Sequence, residues 1–260
     1  MQRTGQKYNI DELLEIMKRL RDECPWDAKQ THHTLKQYLL EEAYEVLETI
    51  DSESWSALSS ELGDLLLQII FHSEIASGAG EFDFTDVIDG IAEKLVHRHP
   101  HVFADTQVNS AKEVQENWEH SKLINENRKS ILAGIPKSAP ALLQAQRLQQ
   151  KAATVGFDWT EINPVIDKIE EEWQEFKQAL KDNNQTEIKK EFGDLLFSMV
   201  NLARFCKILA EDALRLTNQK FIRRFQYIEK QYKNNPKLMK EQSLDTLDQH
   251  WNDAKNLEND

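Results

Sequence analysis

Residues 40–66 read LEEAYEVLETIDSESWSALSSELGDLL, and residues 170–196 read EEEWQEFKQALKDNNQTEIKKEFGDLL. Both stretches carry Glu-Glu-x-x-Glu followed by Glu-x-x-Asp. The first supplies Glu41, Glu42, Glu45, Glu61 and Asp64, the second Glu171, Glu172, Glu175, Glu191 and Asp194. Each acid recurs after 130 residues. Acids on a merely solvated face have no reason to keep a fixed register. A carboxylate pattern held in register and repeated reads as a metal site duplicated together with its fold.

The apolar residues around the acids set the local structure. Leu35, Leu39, Leu40, Ala43, Val46, Leu47 and Ile50 recur at spacings of three and four, the period of one helical face. Leu58, Leu62, Leu65, Leu66, Ile69 and Ile70 do the same. The short polar breaks at 51–54 and at Asp182-Asn183-Asn184 predict antiparallel helical hairpins. Residues three or four apart share a helix face, so Glu172 pairs with Glu175, and Glu191 with Asp194. Four carboxylates per hairpin then converge. At an effective dielectric near 20, like charges about 4 Å apart repel by roughly 4 kcal/mol per pair. Such a group must protonate, spread apart or bind a cation. Oxygen-only ligands favour hard ions, magnesium first and manganese as a substitute. Carboxylate bundles that hold di-iron use Glu-x-x-His, which this chain lacks. The competing reading is an ion-pair network in which Lys168, Lys177, Lys189 and Lys190 neutralise the acids. The first half weakens it, because Lys36 is the one lysine near Glu41–Asp64.

Outward from these hairpins, the rest of the chain is also helical in pattern. Asn9 or Asp11 is placed to cap a helix carrying Leu13, Leu14, Ile16, Met17 and Leu20, which Cys24-Pro25-Trp26-Asp27 interrupts. A loop is expected over Ala76–Phe84, a helix over about 85–98 ended by Pro100, and a polar helix over 110–127 containing Trp118. Gly134, Pro136 and Pro140 punctuate the middle, which sets the expected domains at 1–130 and 131–260. Eight glycines and six prolines in 260 residues suit helices with short connections. The fold class is therefore all-α, with tandem duplicated helical-bundle domains.

A formal net charge of −13 argues against a nucleic-acid partner, since phosphate neutralisation needs a basic surface. Two cysteines, Cys24 and Cys206, make no disulfide framework and are expected as reduced thiols. The N-terminal MQRTGQKYNIDELL has no signal-peptide apolar core, and no apolar run approaches a membrane span. A cytoplasmic location follows as the expectation. His32, His33, His97, His99 and His101 could ligate metal, but exposed or helix-end histidine is the commoner role. Trp118 and Trp251 could stack on a base, although core packing is the commoner use of tryptophan.

The acids in their apolar frame resemble the MazG nucleoside triphosphate pyrophosphohydrolases. Cys24-Pro25-Trp26-Asp27, Arg98-His99-Pro100-His101-Val102-Phe103, Val155-Gly156-Phe157-Asp158-Trp159 and Asn201-Leu202-Ala203-Arg204 are similar to further signatures of that family. The resemblance covers nearly the whole chain. It implies the all-α NTP pyrophosphatase fold, a homodimer, and magnesium-dependent hydrolysis of NTPs or dNTPs to nucleoside monophosphate and pyrophosphate. It also implies metal ligation by Glu172, Glu175, Glu191 and Asp194, with Glu171 orienting water or ligands; a free glutamate such as Glu171 is the expected acceptor of the water's proton. Lys168, Lys220, Arg223, Arg224 and Trp251 match the family's nucleotide contacts. Lys189 and Lys190 directly precede Glu191 and either serve phosphates or pair with acids; Lys190 is counted among the nucleotide contacts. Glu42, Glu45, Glu61 and Asp64 are a second candidate metal site. Arg223-Arg224 stands where the first half has His97-Arg98, so the second half is the expected working site. A helical interaction protein with vestigial acids, and a phosphohydrolase releasing orthophosphate, remain as alternatives.

Overall fold

The computed structural model describes residues 7–104, 110, 114 and 130–258. All regular structure among them is helical. The chain divides into two compact units, Met1–Asn109 and Ser110–Asp260.

In the first unit, α1 (Ile10–Glu23) opens on a capping box. The Asn9 side chain accepts from the Glu12 N–H at 2.9 Å, and the Glu12 carboxylate accepts from the Asn9 N–H at 3.1 Å. Cys24 ends the helix, and a single 3₁₀ turn, Asp27–Lys29, redirects the chain. The Arg21 guanidinium clamps that turn by donating to the carbonyls of Asp27 and Gln30. Thr31 caps α2 (His32–Asp51). Helix α3 (Trp55–Gly78) follows after a turn in which Glu53 takes φ 51°. The loop expected from Ala76 starts later. Ala76 is buried, so packing carries α3 on to Gly78, and Gly80 at φ 73° makes the break. Asp83 caps α4 (Phe84–Arg98), and Pro100 begins the one-turn α5 (Pro100–Phe103).

Met17, Leu35, Ile70 and Phe71 form the core of this unit, ringed by Leu13, Leu14, Tyr38, Leu66 and Phe84. The Trp26 ring meets Tyr38 edge-on at 6.1 Å and Phe71 at 6.5 Å. The Cys-Pro-Trp-Asp interruption is thereby anchored on the α2–α3 hairpin.

The second unit contains α6 (Ala141–Ala153), α7 (Ile162–Lys181), α8 (Gln185–Phe205), α9 (Ala210–Gln231), α10 (Pro236–Lys240) and α11 (Leu244–Leu257). Helices α7 and α8 share the most extensive packing, as α2 and α3 do in the first unit. Their turn holds Asn183 at φ 52°, the position equivalent to Glu53. The Asn184 side chain caps α8 by accepting from the N–H groups of Thr186 and Glu187. Helix α6, absent from the sequence expectations, packs on α8, and α11 packs on α9. Gln146 pins α6 to the start of α9. Its amide donates to the Ile208 carbonyl and accepts from the Ala210 N–H, both at 2.9 Å.

The polar helix expected around Trp118 falls almost wholly outside the described residues. Among the described residues no helix is long and apolar enough to cross a membrane, and Cys24 and Cys206 are both free thiols.

Because Ile70 has no solvent exposure, Ile70→Ala should destabilise the first unit by about 2–5 kcal/mol, read from the shift in a urea unfolding curve.

Candidate active site

The two hairpins bring together the acids that the repeat singles out. One ligand oxygen from each of Glu42, Glu45 and Glu61 lies within 4.8 Å of the others, and the same holds for Glu172, Glu175 and Glu191. In both trios the first helix supplies two acids one turn apart, and the second helix supplies the third across the hairpin. The burial of the two trios matches at the second and third acids and differs at the first. Glu45 and Glu175 are exposed, and Glu42, Glu61 and Glu191 are half-buried, but Glu172 alone is buried. Asp64 and Asp194, one turn further along, stand outside the trios but within electrostatic reach.

The charge cost of this arrangement is visible. Partial desolvation, then Glu175, Asp194 and Glu172, pushes the Glu191 carboxyl above the usual carboxylate range. Glu42 is raised by desolvation and then by Glu45, Asp64, Glu41 and Glu61. Glu45 is raised by desolvation and then by the close approach of Glu61, with Glu48 and Asp64 adding to it. Hard oxygen donors under mutual repulsion, on two rigid helices, fit a divalent cation in either half.

The halves differ at a position beside the acids. In the second, the Lys168 ammonium lies 2.7 Å from buried Glu172 and 2.9 Å from Glu171. Hydrogen bonds to these two carboxylates raise Lys168 well above an ordinary lysine. Glu172 is therefore a buried charge with its counter-charge in place. The equivalent position in the first half is Tyr38, whose ring packs against Trp26.

Next to the second trio lies a cavity of about 400 Å³. Lys168, Glu172 and Asp194 line one side, and Phe157, Trp159 and Phe197 provide apolar wall. Arg204 and Asp158 close another side in a two-pronged ion pair of 2.9 and 2.5 Å, and Arg204 also donates to the Asn201 side-chain oxygen. Gln149 of α6 completes the lining relevant to chemistry. Asp158, Asn201 and Arg204 fall in stretches already noted as signatures, but spacing assigns them no role. Gln149 carries only a weak signal, a glutamine on the face of 141–153 that also bears Ala145, Leu148 and Ala152.

The remaining sequence candidates group elsewhere. Arg224 donates to Glu258 at 2.8 and 2.6 Å and lies over the Trp251 ring at 5.4 Å; Arg223 reaches the same carboxylate at 3.7 Å. The hydrogen bond from Arg224, together with the charges of Arg223 and Lys220, holds Glu258 below the usual carboxylate range. A hollow of about 310 Å³ beside this group is lined by Arg223, Arg224 and Glu258, and not by the acid trio. Lys190 pairs with Glu187 at 2.8 Å. His97 and His99 hydrogen-bond the backbone carbonyls of Glu93 and Leu95, and His32 stacks on His72 at 5.0 Å. None of these histidines belongs to either trio.

Comparison with known proteins agrees with this architecture. The family model for the MazG nucleotide pyrophosphohydrolase domain matches twice, over residues 30–103 and 162–228. A nucleoside triphosphate pyrophosphohydrolase of Escherichia coli is 45% identical over 96% of this chain and 98% of its own. A protein of Thermotoga maritima named nucleoside triphosphate pyrophosphohydrolase/pyrophosphatase MazG is 43% identical over 95% of each chain. The uncharacterized protein YabN of Bacillus subtilis is 47% identical over 90% of this chain and 49% of its own.

The raised carboxyls carry a pH signature. A group raised in the folded chain binds its proton more tightly there than when unfolded, so its protonation favours the native state at low pH. That advantage is lost as pH rises from the ordinary carboxylate range through the raised value. In chelator, Glu191→Gln should raise the melting temperature at about pH 7, and the gap from the parent should close as pH falls toward about 5. A pH series of thermal melts on both proteins checks this.

Proposed function

The chain belongs to the MazG family of nucleotide pyrophosphohydrolases, and we propose that it hydrolyses nucleoside triphosphates to nucleoside monophosphate and pyrophosphate with magnesium. The observation that carries this reading is the cavity in which Glu172 and Lys168 share one wall. It combines a cation-holding trio, a fixed ammonium and an apolar chamber at one place. The working assignment of the domains is one MazG-like unit in each of 1–130 and 131–260.

Glu172, Glu175, Glu191 and Asp194 are the metal ligands in this reading. A divalent ion bound by them supplies Lewis-acid and water-activating chemistry. Lys168, kept protonated by its two glutamates, exchanges a carboxylate for a substrate phosphate. That exchange frees Glu171, which is exposed, to accept the proton of the attacking water. Attack at the α-phosphorus breaks its bond to the bridging oxygen and expels pyrophosphate. Lys220, Arg223 and Arg224 hold the outer phosphates, with Glu258 as the anion a phosphate replaces, and Trp251 and Lys190 complete the nucleotide contacts. The first half lacks an equivalent of Lys168. Glu42, Glu45, Glu61 and Asp64 are accordingly a second metal site without the means to turn over substrate.

We assign a homodimer on apolar surface. Ile166, Trp173 and Leu180 form an exposed stripe along α7, and Phe192, Leu196 and Met199 form another along α8. Trp173 is 45% exposed and Phe192 49%, a level that large apolar side chains on paired helices keep when a partner covers them. The free thiols suit a cytoplasmic location.

With magnesium, a panel of NTPs and dNTPs should yield pyrophosphate; orthophosphate as the first product would reject the reaction assigned. Glu172→Ala should lower kcat by at least about a hundredfold, the scale of losing an electrostatic catalytic group, and chelation should do the same. Glu42→Ala should leave kcat within about threefold, and a loss matching that of Glu172→Ala would move the working site to the first half. Light scattering should give twice the monomer mass, and Phe192→Glu should shift it toward monomer.

A further inference from the structure

We propose that Glu258 is a built-in competitor of the substrate. Its carboxylate sits on Arg223 and Arg224 until the outer phosphates of a nucleotide displace it, and it returns as pyrophosphate leaves. This rests on the assignment of the outer phosphates to Lys220, Arg223 and Arg224 above, and adds the means by which that site is regulated.

Two guanidinium groups converge on this one carboxylate. Glu258 Oε2 accepts from Arg224 Nε at 2.8 Å and from Arg224 Nη2 at 2.6 Å. Glu258 Oε1 faces Arg223 Nε at 3.7 Å. Among the described residues no other acid forms an ion pair with either arginine. Lys220 adds a third positive charge that the carboxylate feels through space. Three cations around one carboxylate leave a surplus of positive charge. Two linked phosphates bring more negative charge, and their oxygens match the guanidinium fork as a carboxylate's do.

The basic site is held independently of its occupant. Arg224 lies over the Trp251 ring at 5.4 Å, and Trp251 packs on Phe221 at 5.2 Å. Contact between α9 and α11 therefore keeps the Arg224 guanidinium in place when Glu258 departs. A hollow of about 310 Å³, lined by Arg223, Arg224, Tyr227, Lys230 and Glu258, gives an entering ligand room beside the pair.

Helix α11 itself does not call for an acid here. Glu258 is its C-terminal cap residue. A helix C-terminus carries partial negative charge and favours cations, so a carboxylate at that position works against the helix and for the arginines. Helix ends also open at low cost, which lets Glu258 leave while the body of α11 stays docked. Its side chain is 28% exposed, within reach of a ligand from solvent. An occupant of this kind lowers apparent affinity by the fraction of time it fills the site.

Glu258→Gln removes the charge and keeps the length. With magnesium, kcat/KM for pyrophosphate release from ATP should rise about fivefold, the upper end for a partly exposed ion pair. The inhibition constant of pyrophosphate should fall by a similar factor. That of AMP, which has no outer phosphates, should stay within about twofold of the parent. A gain at low substrate is a result that damage to the fold does not produce. An unchanged or lowered kcat/KM, or equal shifts for pyrophosphate and AMP, would overturn the assignment. Calorimetric titration with inorganic pyrophosphate in chelator reads the basic site without metal or turnover, and the variant should bind about fivefold more tightly. Tighter binding by the variant of a chain that releases no pyrophosphate from ATP would uphold Glu258 and reject the hydrolytic reading. Equal or absent binding by the variant would reject Glu258 whatever the turnover.

Discussion

Three carboxyl groups held within 4.8 Å of one another are the constraint around which each half of this chain is organised. Repulsion of roughly 4 kcal/mol per close pair would splay two free helices apart. The hairpins resist because their ends and their backs are both secured. Glu53 and Asn183 adopt the left-handed conformation that makes the tight turn, and Asn184 caps the returning helix. Behind the acids, Leu35 and Ile70 are fully buried between α2 and α3, and Val165 and Val200 are buried on α7 and α8. Apolar packing on one face of each hairpin thus maintains an unfavourable charge arrangement on the other. Such an arrangement is compatible with a divalent cation between the helices.

The two copies share this backbone solution but not the same electrostatics. Lys168 gives buried Glu172 a permanent counter-charge and lines a cavity beside it. Tyr38 at the equivalent position gives none, and its ring packs against Trp26 instead. The acidic pattern recurs in both halves, while the position beside it is Lys168 in the second and Tyr38 in the first.

The basic residues illustrate where reading by register stops. Lys220, Arg223 and Arg224 follow the second acidic hairpin as Lys94, His97 and Arg98 follow the first, and that parallel marks them as a group. It does not reveal that they gather on Glu258, 34 residues beyond Arg224. Lys168 and Lys190 look alike in sequence, each one turn from a glutamate. Lys168 binds the buried Glu172, whereas the exposed Lys190 binds Glu187 and feels Glu191 only through space. Helical phase around the axis separates them, and phase is fixed only when the helix is docked.

By itself the sequence determined the helices, the two hairpins and the acids of each trio. All of these rest on local periodicity, because residues three or four apart on a helix must share a face whatever surrounds them. The tertiary structure alone decided what closes around the acids. Gln149 meets Phe197 across 48 residues and Arg204 meets Asp158 across 46, pairings that no local spacing encodes. They depend on α6 packing against α8, and one helix chooses its neighbour through the shape of whole apolar faces. The acidic trio is therefore written in short-range pattern, and the chamber beside it is a product of long-range packing.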